Sequence, residues 1–377
     1  MELVDELVDG VFRATLPLIR NELELDYGQV GLLLGLPAII SNFVEPYIAL
    51  GADLWRRRVI IAAGGIAFAV ALGSIAAAPS FVVLLACFVL FFPASGAFVS
   101  ISQASLMDAD PVRREQNMAR WTVAGYVGNV LGPLGVATAV ALGAGWRGTY
   151  AVLAVISLVA LVRMMRFPFV RSKAPHPSLR HAVSDALRQL RRGSVVRWLV
   201  MLEALDLMLD VLTAFLALYL VDVGNLTTAQ AAIVIGARSA AGLVGELGVV
   251  ALLERIPGVA YLRVSVLATT LLYPALLLVD PVWAKVSVAI VLGFVTAGWY
   301  SIIQAQLYAA LPDRSGTALA LKNVTGSIWG VVPIALGAVA ERFGITTMMW
   351  LLWAGPLTLL LGVPWRYGRQ PQRTGKE

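Results

Sequence analysis

The chain has 377 residues, of which 59% are hydrophobic and 14% are charged, and its mean hydropathy is +0.80. Soluble domains carry about 25% charged residues, so the composition excludes an ordinary soluble protein and predicts an integral membrane protein. The net charge of +6 does not indicate nucleic-acid binding, because the basic residues lie in short loops between apolar segments. The single cysteine, Cys87, excludes an intrachain disulfide, and we expect neither a metal site nor a cofactor.

Apolar segments long enough to cross a bilayer as helices occur twelve times along the chain. They are centred near residues 11, 39, 69, 94, 129, 156, 210, 240, 269, 295, 329 and 355. Most of the 29 lysine and arginine residues lie in the loops on one side of these segments, and short loops rich in basic residues stay in the cytoplasm. We therefore expect a multi-pass protein of a bacterial inner membrane with both termini in the cytoplasm.

One long polar connector, residues 166–197, divides the chain. We expect a six-helix bundle over residues 1–165, a basic linker with an amphipathic helix, a second six-helix bundle over residues 198–368 and a cytoplasmic tail at residues 369–377. An offset of 201 residues aligns the acids Glu2, Asp5 and Asp9 with Glu203, Asp206 and Asp210. Since chance would not align acids inside apolar helices, the sequence predicts an all-α integral membrane fold of two pseudo-symmetric bundles. Transporters built from such repeats bind their substrates near the membrane midplane, between the repeats.

Charged residues fall within about a third of the circumference of the first predicted helix, namely Glu2, Asp5, Glu6, Asp9 and Arg13. The seventh predicted helix carries the same stripe of Glu203, Asp206 and Asp210. A charge at the bilayer centre costs at least ~2.5–3.5 kcal/mol, so both stripes are expected to face a wet cavity between the halves. Glu2 and Glu203 come nearest to the inner surface and are expected to be solvated.

Two arginines lie within the predicted spans, Arg13 and Arg238. Arg13 is four residues from Asp9 and can pair with it along the helix, and we expect Arg238 to pair with Asp210. These are either internal ion pairs or a clamp for an anionic substrate. The acids outnumber the arginines, so some carboxyl groups must hold protons or cations. We assign proton coupling to Asp9 and Asp210, assisted by Asp5, Asp206 and Glu6.

The loop LGADLWRRR, residues 50–58, contains Asp53, Arg57 and Arg58 in the spacing of a signature loop of the major facilitator superfamily. The chain resembles this family over essentially its whole length, in its twelve spans, its duplication and its basic central loop. The resemblance implies the major facilitator fold and a gating role in which Asp53 anchors the cytoplasmic helix ends when the inner side is closed. The same loop is also consistent with a topological arginine cluster whose aspartate caps the next helix.

Two further segments resemble efflux proteins of that superfamily. The stretch GYVGNVLGPLG, residues 125–135, is similar to the glycine-rich fifth helix of drug/proton antiporters, whose physical content is close helix packing and a kink. The stretch DGVFRATLPLIRNELELDYGQVGLL, residues 9–33, looks like the first hairpin of fosmidomycin-resistance-type efflux proteins.

Other polar and aromatic residues within the spans are candidates for the same machinery. Gating is assigned to the signature-loop residues together with Glu45, Glu246 and Glu254, of which Glu254 aligns with Asp53. Substrate contacts are assigned to both arginines and to Gln103, Gln304, Phe98, Tyr126, Trp299, Tyr300 and Trp329. The glutamines could instead join helices to one another, and the aromatic rings could simply pack.

The leading hypothesis is a proton-coupled secondary transporter that exports a small cationic or amphiphilic compound by rocker-switch alternating access. One alternative is an organic-anion carrier that uses Arg13 and Arg238 as its clamp. Another is a non-transporting membrane sensor or scaffold on the same fold. We expect no enzyme, because no spaced nucleophile, base or metal cluster is visible. The expected partners are a small-molecule substrate, protons and the lipid bilayer, with the chain acting as a monomer.

Overall fold

The computed structural model describes residues 1–54, 57–109, 114–166, 190–311 and 325–364, with the single residues 188 and 321. Every regular element within them is a helix, which confirms the prediction of an all-α fold. Most of the predicted linker and the whole predicted tail lie outside the described residues. We call residues 1–166 the first half and residues 190–364 the second half.

The described residues of the first half contain seven α-helices. They are α1 (Glu2–Glu22), α2 (Tyr27–Leu54), α3 (Arg57–Ala77), α4 (Phe81–Ser95), α5 (Ile101–Ala109), α6 (Arg114–Ala141) and α7 (Gly145–Met164). A π-helical turn, Gly96–Ser100, joins α4 to α5, so that these two form one continuous rod.

The second half repeats this order. Its helices are α8 (Gly193–Asp206), α9 (Leu212–Asp222), α10 (Thr228–Leu253), α11 (Gly258–Leu278), α12 (Val282–Val295), α13 (Trp299–Ala310), α14 (Val331–Phe343), α15 (Ile345–Leu351) and α16 (Ala354–Gly362). A second π-helical turn, Leu207–Val211, joins α8 to α9. Residues 325–329 are also helical and lead towards α14.

Ten helical stretches among the described residues are long and apolar enough to cross a membrane. Helix α1 is long enough, at 21 residues, but its charged stripe excludes it from a count based on hydropathy. Residues 325–329 are helical and lead into α14 without meeting the same criterion. The multi-pass membrane fold is therefore confirmed, while the count of twelve spans and the division at residues 166–197 stay predictions.

The duplication is visible in how equivalent helices begin. Thr227 and Gln230 form a reciprocal capping box at the start of α10. At the start of α2, Asp26 and Gln29 exchange the same two bonds, each side chain accepting from the other residue's backbone N–H. Such a box satisfies two backbone donors that a helix start leaves free. The two halves thus begin their second long helix in the same way.

The halves meet where glycines let two helices approach closely. An added Cβ at Gly31 of α2 would lie 2.6 Å from the Pro333 carbonyl oxygen and 3.1 Å from the Gly337 Cα of α14. On the other side, Gly236 of α10 packs against Leu134 of α6. In a membrane, small residues of this kind allow the van der Waals packing that joins helices.

The contact at Gly31 predicts the effect of adding one methyl group. Gly31→Ala should lower the apparent melting temperature in detergent, because overpacking a close contact costs about 1–3 kcal/mol. Gly73→Ala in α3 is the matched control, since nothing lies within 4 Å of its added Cβ. Equal melting temperatures for the two variants would contradict this account of the interface.

Candidate functional site

A cavity of about 280 Å³ lies between the two halves. Its walls come from α1, α2 and α4 of the first half and from α8, the second π-helical turn and residues 326–333 of the second half. Its charged lining residues are Asp9, Arg13, Glu203, Asp206 and Asp210. Among the described residues, four carboxyl groups therefore face one guanidinium, with aromatic rings from Phe12, Phe92 and Trp329 beside them.

Arg13 joins the two halves at this cavity. Its Nη2 atom lies 2.5 Å from Asp9 Oδ2, one turn earlier on the same helix, and 3.0 Å from Asp210 Oδ1 on the opposite wall. The side chain of Arg13 is 18% exposed, and those of Asp9 and Asp210 are 35% and 53% exposed. The three residues form an ion-pair triad that remains open to the cavity on the Asp210 side.

The remaining acids of α1 turn away from the cavity towards neighbouring helices. Asp5 accepts a hydrogen bond from Ser95 Oγ at 2.5 Å, and Glu6 accepts one from Asn129 Nδ2 at 2.6 Å. Both contacts stay within the first half. The predicted charged stripe is therefore divided. Asp9 and Arg13 line the cavity, whereas Asp5 and Glu6 contact other helices of the first half.

Two expectations about charged residues are wrong. Among the described residues Asp210 pairs with Arg13, whereas Arg238 donates to the Thr213 hydroxyl at 2.7 Å and to the Met208 carbonyl at 3.0 Å. Arg238 is 6% exposed and packs behind the second π-helical turn. Glu203 is not solvated at the surface but is 5% exposed on the cavity wall.

Of the aromatic candidates that the structure describes, only Trp329 lies at the cavity. Trp329 lines it, whereas Phe98 is fully buried against Phe68 within the first half. Trp299 is also fully buried, and its Nε1 atom donates to Ser265 at 2.7 Å. Tyr300 is exposed, and Gln103 and Gln304 are half-buried.

Glu45 and Glu246, which we predicted to act in gating, occupy equivalent positions beside breaks in their neighbouring helices. Glu246 accepts the Gly298 backbone N–H at 2.6 Å and the Ser301 hydroxyl at 2.8 Å, where α12 gives way to α13. Glu45 accepts from Ser41 at 2.8 Å and lies against Gly96, in the first π-helical turn. Tyr126 of the first half lies close enough to the Glu246 carboxylate to interact with it electrostatically, so this acid lies near the seam between the halves.

The predicted signature-loop residues have separate surroundings. Arg58 donates to the Met165 carbonyl at 2.9 Å and so ties the start of α3 to the end of α7. Arg57 is half-buried, and Glu254 is exposed. The side chain of Asp53 lies outside the described residues.

One end of the bundle is closed by contacts between the halves, and we call it the closed end. Asp222, at the end of α9, pairs with Arg20 of α1 and accepts from the Tyr27 hydroxyl. The backbone N–H of Tyr27 donates to Glu341 of α14 at 2.9 Å. The Arg20 guanidinium also lies 4.1 Å from the centre of the Tyr27 ring. Together these residues form a latch across the halves.

Sequence reasoning missed several cavity residues, although a signal for some of them existed. Leu34, Ala38 and Asn42 follow one another at four-residue intervals on α2, and all three line the cavity. Four-residue spacing marks one face of a helix, so the face was visible. Nothing in the sequence said which face meets the other half.

The fold and this cavity define a class of protein, namely a multi-pass helical membrane protein with a polar site between two repeated halves. The sequence model of the Major Facilitator Superfamily matches residues 3–333. The chain therefore belongs to the major facilitator superfamily and is a secondary transporter. This confirms the family that the sequence motifs indicated. No curated protein is similar enough in sequence to count as a relative.

Solved structures of transporters share the fold. A bacterial homolog of the human lysosomal transporter Spinster, in an inward-facing and unoccupied conformation, is 16% identical, with a TM-score of 0.75 over 96% of this chain and 94% of its own. The nucleoside transporter NupG is 13% identical, with a TM-score of 0.74 over 96% and 98%. A POT family transporter in complex with 5-aminolevulinic acid is 11% identical, with a TM-score of 0.76 over 96% and 93%.

Breaking the latch should loosen the closed end. In Asp222→Ala both partners, Arg20 and Tyr27, lose their acceptor, so the halves should separate there more often. Spin labels at positions 80 and 282, in a Cys87→Ala background, should show a longer or broader distance distribution by pulsed electron resonance. Glu22→Ala is the control, because Glu22 accepts from Trp146 and Arg147 within the first half. The same distribution in both variants would contradict a role for the latch.

Removing the charge of Glu246 should weaken the contact at the break between α12 and α13. Glu246→Gln leaves one acceptor oxygen where the carboxylate has two, so the side chain can no longer accept from both the Gly298 N–H and the Ser301 hydroxyl. Hydrogen bonds to a charged group contribute about 1.5–3 kcal/mol, so the apparent melting temperature should fall. Glu254→Gln, on the same helical segment but exposed, should leave it unchanged. A fall of the same size in both variants would argue against this contact.

Proposed function

We propose that the chain exports a small cationic molecule in exchange for protons, by alternating access of the cavity between its halves. The observation that carries this proposal is the charge of the cavity wall, where Asp9, Glu203, Asp206 and Asp210 accompany Arg13. A cavity with an excess of carboxylates attracts cations and repels anions. The rings of Phe12, Phe92 and Trp329 add faces that attract an organic cation further.

The positions of the two arginines favour a cation over an anion. Arg13 is already shared between Asp9 and Asp210, so an anion would have to compete with two carboxylates. Arg238 donates away from the cavity, to Thr213 and Met208. An anion clamp needs guanidinium donors that are free to form paired bonds with the substrate, and neither side chain is arranged in that way.

Protons and a cationic substrate would act on the same triad. A proton on Asp9 or Asp210 removes a negative charge that Arg13 holds, and Asp210 belongs to the other half. The energy of the contact between the halves therefore depends on whether protons or substrate occupy these carboxyl groups. Only such differential binding can shift a protein between two conformations, which is why we place the coupling at this triad.

The size of the cavity limits the substrate. A volume of about 280 Å³ lies just below the 300–1,000 Å³ or so of pockets that enclose drug-sized ligands. The site suits a small organic cation better than a large amphiphile. The larger compounds that the sequence also allowed would need a wider state of the cavity.

The loop charges and the closed end support export as the direction of transport. The basic loops identify the cytoplasmic side, and the latch of Arg20, Tyr27 and Asp222 joins the halves at the opposite end. In this arrangement the cavity would receive substrate from the cytoplasm, as export requires. Proton exchange would then reset the transporter from the outer side.

Transport in proteoliposomes tests the proposal. An imposed pH gradient should drive movement of a small organic cation such as tetramethylammonium, and Asp210→Asn should slow it at least tenfold because the triad loses its charge on the second half. Asp280→Asn, an exposed acid of the same half, should not slow it. Movement of methylphosphonate instead, lost in Arg13→Gln, would favour the anion carrier, and no movement of tetramethylammonium would count against the cationic substrate proposed here.

A further inference from the structure

Arg238 and the second π-helical turn, Leu207–Val211, occur together in the second half and have no equivalent in the described first half. The backbone N–H of Leu212 bonds to the Leu207 carbonyl, five residues earlier, which is the mark of a π turn. At an offset of 201 residues, the equivalent part of the first half is the regular helix α1. In the first half, the residue equivalent to Arg238 is Pro37 of α2. At these equivalent positions, therefore, the second half has both the arginine and the wide turn, and the first half has neither.

The guanidinium of Arg238 reaches two successive carbonyls of this wide turn. Its Nη2 atom donates directly to the Met208 carbonyl at 3.0 Å. Its Nη1 atom donates to the Thr213 hydroxyl at 2.7 Å, and that hydroxyl in turn donates to the Leu209 carbonyl. Buried backbone acceptors need such partners. The arginine is therefore bonded along the turn rather than at one point.

The surroundings fix the arginine in place. Arg238 is 6% exposed, and a Cβ added to Gly293 of α12 would lie 2.4 Å from its carbonyl oxygen and 2.8 Å from its Cγ. The close approach of α12 thus confines both the backbone and the stem of this side chain. A buried charge is costly unless it is paired or hydrogen-bonded, and here the bonds to Thr213 and to the Met208 carbonyl offset that cost.

The group that the wide turn presents to the cavity is Asp210. This residue lies inside the turn, its side chain is 53% exposed, and it pairs with Arg13 across the cavity. Loss of a π turn removes one extra residue from a helical turn, which rotates the residues within and after it by about 100°. Asp206 precedes the turn and would keep its direction.

We propose that Arg238 is a positioning residue, which holds the turn Leu207–Val211 open and thereby holds Asp210 on the cavity wall. This inference rests on the proposed function only for the role of Asp210, because the geometry can be tested without transport. On this proposal Arg238 positions Asp210 and does not itself contact the substrate.

Cysteine labelling tests the proposal in the 377-residue chain with Cys87→Ala. Asp210→Cys should react with the neutral reagent methyl methanethiosulfonate, and adding Arg238→Met should slow that reaction at least fivefold. Thr213→Val keeps the positive charge but cuts the link to the Leu209 carbonyl, so it should slow the reaction at least threefold. Asp206→Cys is the matched control, and its rate should stay within twofold in both backgrounds.

Each other outcome overturns the proposal. If adding Arg238→Met changes the labelling rate of Asp210→Cys less than twofold, the turn holds without the arginine. Slowing in Arg238→Met with none in Thr213→Val would show an effect of charge on the thiol and not of position. Should Arg238→Met not give folded protein, an unchanged rate in Thr213→Val alone would be sufficient to reject the proposal. Labelling needs no flux, so a failure here and a failure of the transport assay are separate results.

Discussion

The sharing of Arg13 between Asp9 and Asp210 is the interaction on which the functional interpretation of this structure depends. It is an ion pair in which one carboxylate lies on the same helix and the other lies on the opposite half of the molecule. All three side chains line the cavity and are partly exposed to it, so the strength of the pair responds to whatever occupies that cavity. A buried pair sealed from solvent would stabilise one state without being able to respond in this way.

The contacts between the halves differ in chemistry from the centre to the closed end. At the centre they are ionic and open to the cavity. Towards the closed end they are glycine-lined approaches, such as Gly31 against α14, followed by the latch at Asp222. Close glycine packing depends on shape alone, whereas the ionic contacts depend on charge. The latch is also ionic, but it lies at the closed end and outside the cavity lining. Protons or a charged substrate in the cavity would therefore alter the centre directly, and the glycine contacts and the latch only through movement of the halves.

Much of the fold was predictable because a chain that crosses a lipid bilayer must satisfy its backbone hydrogen bonds internally. Apolar segments of bilayer length must form helices, since lipid offers no partners for backbone N–H and C=O groups. The motifs and the repeat then indicated the family, which the sequence model confirms. Hydropathy fails at α1, where charges such as Asp9 and Arg13 are accommodated by a cavity that hydropathy does not consider.

The residue types of the site were predictable from the sequence, but the pairings between those residues were less so. The direction of Arg238 could not be expected, because it depends on a π-helical turn in a neighbouring helix and on the approach of Gly293. Phe98 was ambiguous because packing within a half and facing the cavity require the same kinds of residue.

The repeat gives the two halves equivalent acids but not equivalent arginines. Asp9 and Asp210 are equivalent in the repeat, yet Arg13 has Ala214 as its counterpart and Arg238 has Pro37. Two equivalent halves would present equal charges to each other, and like charges at the seam would repel. By carrying one cation that crosses the cavity and another that bonds to a neighbouring helix backbone, the chain makes the two acids unequal. Asp9 therefore has its cationic partner on its own helix, whereas Asp210 reaches the same partner across the cavity and is the more exposed of the two acids.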